Sequence, residues 1–192
     1  MKQRYFDLKT AILNKLDKEL PKQFYYHSYS HTVDMHDAAA RIADYENISD
    51  DDKELVLVAA LFHDAGFIIN RDDHEMHSCN ITKELLPSYN YTSEEIAIVC
   101  DIIMATKMPV SPKNKLEEII CDADLDYLGR DDFKEIGDLL FRELKEGGAL
   151  QDLNEWNQVQ IRFLTSHRYF TSFGKMNRED KKQENLRGLL GE

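Results

Sequence analysis

The residues in this chain best suited to chemistry are histidines and aspartates set against apolar runs. The clearest case is "LVLVAALFHDAGF", residues 55–67, where eight apolar residues lead directly into His63 and Asp64. A helix apolar almost all round is buried on most sides, and an unpaired aspartate at its end would be costly to bury. A bound cation offsets that cost. Neutral imidazole plus carboxylate is a suitable ligand set for a first-row divalent ion.

Two other stretches carry matching groups. Turning the helix that starts near His31 by about 100° per residue places Met35, Ala38, Ala39, Ile42 and Tyr45 on one stripe centred on His31. Asp34, Asp37, Arg41 and Asp44 fall on the opposite side, so His31 is expected to point inward. A second His-Asp pair, His36-Asp37, lies off the stripe and is expected at the surface. In "EEIICDADLDYLGR", residues 117–130, Asp122, Asp124 and Asp126 alternate beside Ile119, Ile120, Cys121 and Leu125. At least one of these three aspartates should be drawn inward.

In chain order, "YYHSYSHTVDM", "LVAALFHDAGF" and "IICDADLDYLG" resemble the H…HD…D signature of the HD-domain superfamily of metal-dependent phosphohydrolases, over residues 24–130. The resemblance implies that His31, His63, Asp64 and Asp124 hold one divalent ion (Mn, Mg, Fe, Co, Ni or Zn). Asp124 is chosen over Asp122 because the family's last aspartate precedes a leucine in an "AD-L" context, which leaves Asp122 a supporting or capping role. It also implies an all-α bundle that hydrolyses a phosphoester or phosphoanhydride of a nucleotide or other small metabolite.

The chain departs from relatives that carry a glutamate soon after the HD pair, since it reads "HDAGFIIN" there. That departure keeps open an alternative, a metal-containing module that senses a nucleotide without turnover. In "RDDHEMHSCN", Glu75 is the first choice for proton transfer and His74 the second, working with Asp64. His74 or His77 could serve a second ion, but one ion is the expectation. Lys107 and Arg168 are the cations assigned to phosphate, Arg being suited to planar contacts.

The elements that must position these residues read as helices at roughly 4–18, 31–46, 51–64, 74–86, 92–105, 114–122, 131–145, 154–168 and 178–190. Capping hydroxyls followed by carboxylates mark starts, as in "SDDDKE" and "TSEE". Gly66, Gly129, the pair at 147–148 and Gly174 mark stops. The fold class is therefore all-α, one domain over 1–192, with an HD core at 24–130 and helices of 131–192 packed on it. Trp156, Phe163, Tyr169 and Phe170 are assigned to the core. The C-terminal helices either close the pocket or form a homodimer surface.

Composition agrees with a globular chain: 192 residues, 42% apolar and 10% aromatic. No apolar run nears the ~18 residues of a membrane span, and the N-terminal residues show no secretory h-region, which gives a cytoplasmic expectation. A net charge of −12 disfavours nucleic-acid backbones. It leaves a small anionic ligand open, because a metal ion inverts the field inside one pocket. Cys79, Cys100 and Cys121 form no metal or disulfide pattern and are expected to be buried.

Overall fold

Capping residues set the helix starts in the computed structural model, which describes residues 1–192. Ser28 opens α2 (Tyr29–Tyr45) and Ser49 opens α3 (Asp50–Phe62), each accepting a backbone N–H. Thr92 and Glu95 form a reciprocal capping box at α5 (Ser93–Met104). Asn114 caps α6 (Lys115–Asp124), and Asp152 caps α8 (Leu153–Ser166). The set is completed by α1 (Gln3–Glu19), α4 (His74–Leu85), α7 (Phe133–Glu146), α9 (Ser172–Asn177) and α10 (Glu179–Leu190). Single tighter turns fill residues 65–68, 86–89 and 126–129. The fold is all-α.

The apolar run of α3 lies at the centre, with Leu55 to Phe62 all buried. It packs against α1, α2, α5 and α6, and α2 also packs on α6. A second, smaller core gathers Tyr26, Tyr127, Leu128, Phe133 and Leu164. The C-terminal helices reach the rest through the 126–129 turn, which touches α7 and α10, and through α9 on α2. No helix is long and apolar enough to cross a membrane. All three cysteines are free and buried.

Two expectations are corrected. His36 is buried rather than superficial, and its ring nitrogen pairs with the Tyr5 hydroxyl at 2.5 Å. Helix α1 covers that side of α2, which a projection of one helix cannot reveal. Gly174 does not end a helix but lies inside α9, whose N-cap is Thr171. A Cβ there would stand 2.7 Å from both Asp122 Oδ2 and Tyr169 Cβ, so close approach, not chain reversal, explains the glycine.

Candidate metal centre

Three elements converge on one point. His31 stands in the first turn of α2, His63 and Asp64 follow α3, and Asp124 ends α6. His31 Nε2 lies 3.2 Å from Asp124 Oδ1 and 3.2 Å from His63 Nε2. Asp64 Oδ2 lies 3.1 Å from His63 Nε2 and 3.6 Å from His31 Nε2. Candidate ligand atoms of His31, His63 and Asp124 all fall within 4.8 Å of one another.

The hydrogen bonds behind these atoms set their chemistry. His63 Nδ1 donates to the Ala60 carbonyl at 2.9 Å, which leaves the Nε2 lone pair facing the cluster. Two imidazole nitrogens 3.2 Å apart cannot both present lone pairs without positive charge between them. Asp64 Oδ2 is buried and has no hydrogen-bond partner, an arrangement that is costly unless something else satisfies it. A divalent ion would satisfy the His31 and His63 nitrogens and the Asp124 oxygen together, with Asp64 Oδ2 beside the histidines, so the residues fit one.

The electrostatics point the same way. Burial works to raise the Asp64 carboxyl, but the neighbouring His63 pulls it far below the usual range. Burial works to lower His63, yet Asp64 outweighs it and lifts the imidazole to about 9. Asp124 is also lowered; burial opposes this, and the bond from His31 prevails. The cluster thus draws in positive charge, as a proton on His63 or as a metal ion.

Local packing holds the HD pair in place. The Gly66 N–H donates to Ser78 Oγ at 2.8 Å, and that hydroxyl donates to the His63 carbonyl at 2.7 Å. A Cβ on Gly66 would lie 2.0 Å from the His74 carbonyl oxygen, so only glycine lets α4 approach here. The three alternating aspartates divide their roles. Asp122 is buried and accepts the N–H groups of Phe170 and Thr171 and the Thr171 hydroxyl. Asp126 is buried against Arg178 and Arg41. Asp124 alone of the three faces the histidines.

A cavity of about 500 Å³ opens beside the cluster. His74 lines it, with Nε2 3.6 Å from Asp64 Oδ1 and 3.5 Å from Glu75 Oε1. Glu75 is buried behind it. Lys107 stands at the rim and is paired with Asp73 at 2.6 Å. Arg168 is not brought to this cavity. The chain turns away where α8 ends at Ser166, and the guanidinium donates to the carbonyls of Thr165 and His167. Trp156 and Phe163, assigned to the core, line the cavity as well.

The sequence reading overlooked three residues here. His27 lines the cavity, stacks on Phe67 at 4.3 Å between ring centroids, and is held through Nδ1 by Glu143 Oε1 at 2.5 Å. Glu143 is buried on α7 and also accepts the N–H groups of Tyr26 and His27. Burial pushes its carboxyl up, but the His27 bond brings it below the ordinary range. Arg71 lines the cavity without a carboxylate partner. His27 lies four residues before His31, a spacing visible in "YYHSYSH". Glu143 is 116 residues from its partner, and no local pattern announces it.

The HD domain family model matches residues 28–126, which include all four clustered residues. The chain belongs to the HD-domain family. A curated relative, an uncharacterized protein of Clostridium beijerinckii (strain ATCC 51743 / NCIMB 8052), is 34% identical over 87 residues, covering 42% of this chain and 53% of that protein. The chain thus spans about half the length of the curated relative it matches. The crystal structure of a predicted HD superfamily hydrolase from an uncultured Thermotogales bacterium aligns with a TM-score of 0.65 and 18% identity, over 97% of this chain and 90% of that one. The shared fold therefore includes the C-terminal helices.

Proposed function

We propose that the protein hydrolyses a phosphoester or phosphoanhydride of a small phosphorylated metabolite, nucleotides included, with one divalent ion held by His31, His63, Asp64 and Asp124. The carrying observation is the buried, unpartnered Asp64 Oδ2 beside two imidazole nitrogens that face the same point. A divalent ion bound there lowers the pKa of water and polarises a phosphoryl oxygen.

The chain's own residues do the rest. In the reaction a water oxygen that has released one proton to solvent bonds to phosphorus, the bond from phosphorus to the leaving oxygen breaks, and that oxygen takes up a proton. His27 supplies the proton. Glu143 holds its Nδ1–H, so Nε2 is the atom that delivers it, with the carboxylate steadying the charged imidazole. His74, next to Asp64, is the second imidazole in reach, and Glu75 acts through it as a positioning residue. Arg71 and Lys107 offset phosphate charge at the mouth. Phe67, stacked against His27 and 4.4 Å from the His74 ring, covers one face of His27 and packs beside His74.

The test is turnover of a panel of phosphoesters with added Mn²⁺, Mg²⁺ or Co²⁺. Release of phosphate with at least one ion, abolished by chelation, is expected. Stoichiometric metal with no turnover across the panel overturns the enzymatic reading.

A further inference from the structure

The cavity beside the metal ligands continues into a lobe of different character. Its walls are Leu128 and Phe133 with Leu140 of α7 and Trp156, Val159 and Phe163 of α8. All of them lie beyond the residues matched by the family model, 28–126. Only one polar side chain from α7 and α8 lines the lobe, that of Gln160. Gln160 is 9% exposed, and its amide has no hydrogen-bond partner within the protein. Its Oε1 rests against α7 at Gly137, where an added Cβ would stand 3.1 Å away. The amide is not among the buried polar atoms left unsatisfied; it lines the cavity and is the polar group that α7 and α8 offer a ligand there.

The two ends of the cavity therefore ask for different chemistry. Asp64, Asp124, Arg71 and Lys107 serve an ionic end. The lobe offers apolar walls and one amide. A sugar with several hydroxyls would leave most of them unpaired in the lobe, each an unfavourable desolvation. An apolar body would bury its surface against Trp156, Phe163 and the leucines, in the part of the roughly 500 Å³ cavity that the ionic end leaves free.

We propose that the substrate is a phosphoester whose organic part is an apolar aryl or alkyl group, seated between α7 and α8 with at most one polar atom, placed at Gln160. This rests on the phosphohydrolase reading. Specificity then resides in the C-terminal helices, while the chemistry resides in the HD core.

The experiment uses the full chain loaded with Mn²⁺. Its kcat/KM is measured for n-alkyl phosphates from ethyl to octyl, with adenosine monophosphate as the polar comparator. A buried methylene contributes about a fourfold gain, so kcat/KM should climb by about that factor per carbon until the lobe is full. Val159→Asp should flatten the climb. Trp156 is the chain's one tryptophan, so its fluorescence, titrated with 1-naphthol on the unaltered protein, reads occupancy of the lobe without any variant. A climbing series with saturable quenching supports the proposal. A flat series with sustained turnover overturns it and leaves the phosphohydrolase reading standing, as does a preference for adenosine monophosphate over every alkyl phosphate. Saturable quenching by 1-naphthol with no phosphoester turned over supports the apolar lobe and overturns the activity. Absence of both quenching and turnover overturns both.

Discussion

His63 is held by its neighbours in one tautomer. Ala60 takes its Nδ1–H, and Asp64 and His31 crowd its Nε2. Removing either member of the HD pair should therefore remove the ion. His63→Ala and Asp64→Ala are expected to purify with far less than one metal per chain by elemental analysis. Asp122→Asn is the contrasting case. Asp122 accepts three bonds from Phe170 and Thr171 and faces none of the ligands. Its loss should lower stability by about 1–3 kcal/mol in denaturant melts, since bonds to a buried charge are at stake, with metal content unchanged. Glu143→Gln tests the proton donor. With the carboxylate gone, the His27 imidazolium loses its partner, and kcat should fall by about 10²-fold, the lower end for loss of a general acid. Metal content should hold, and the pH profile of kcat should move, which a merely structural change would not cause.

Among the elements, α3 shows why a core helix ends in two ionisable residues. Its apolar run brings the HD pair to the interior, and the turn after it is pinned by Ser78 and Gly66. Gly66→Ala should displace α4 or the pair itself, because the new Cβ would meet the His74 carbonyl at 2.0 Å. A lower melting midpoint and weaker metal retention are expected together. The junction of α8 with α10 carries a pH response. His167 is buried, and burial, aided by Lys182, drops its imidazole from 6.5 to about 4. The folded chain thus keeps His167 neutral where the unfolded chain takes up a proton. Stability is full above about 6.5 and falls as pH drops towards 4, by roughly 3 kcal/mol for this group alone. Urea melts at pH 7 and pH 4.5 should show the loss, and His167→Gln should reduce that difference.

For the molecule as a whole, the proposed centre predicts that metal and fold are coupled. The four proposed ligands come from α2, the end of α3 and the end of α6, so an ion bound there would tie together segments up to 93 positions apart, from His31 to Asp124. Apo protein should melt lower, and free ion at a hundred times Kd should restore about 2.7 kcal/mol. A melting curve unchanged by chelation and metal return would count against the centre. The helices were legible because capping hydroxyls, carboxylates and apolar period are local properties. Their bounds fall within about two residues of expectation for all nine, while a tenth, the short α9, escaped because its glycine reads as a stop. His31 and the HD pair were legible for a related reason: each is an ionisable group beside an apolar stretch, and burial of charge leaves a mark in the chain itself; Asp124 was singled out only by the family resemblance. Which aspartate faces inward to the histidines was not open to periodicity, since Asp122, Asp124 and Asp126 all lie among apolar neighbours. Only packing assigned Asp122 to Thr171, Asp126 to Arg178 and Asp124 to His31. The same holds for Glu143 with His27, for the burial of His36 under α1, and for the apolar lobe between α7 and α8. These depend on contacts between residues far apart in the chain, and contacts of that kind have no spacing to read.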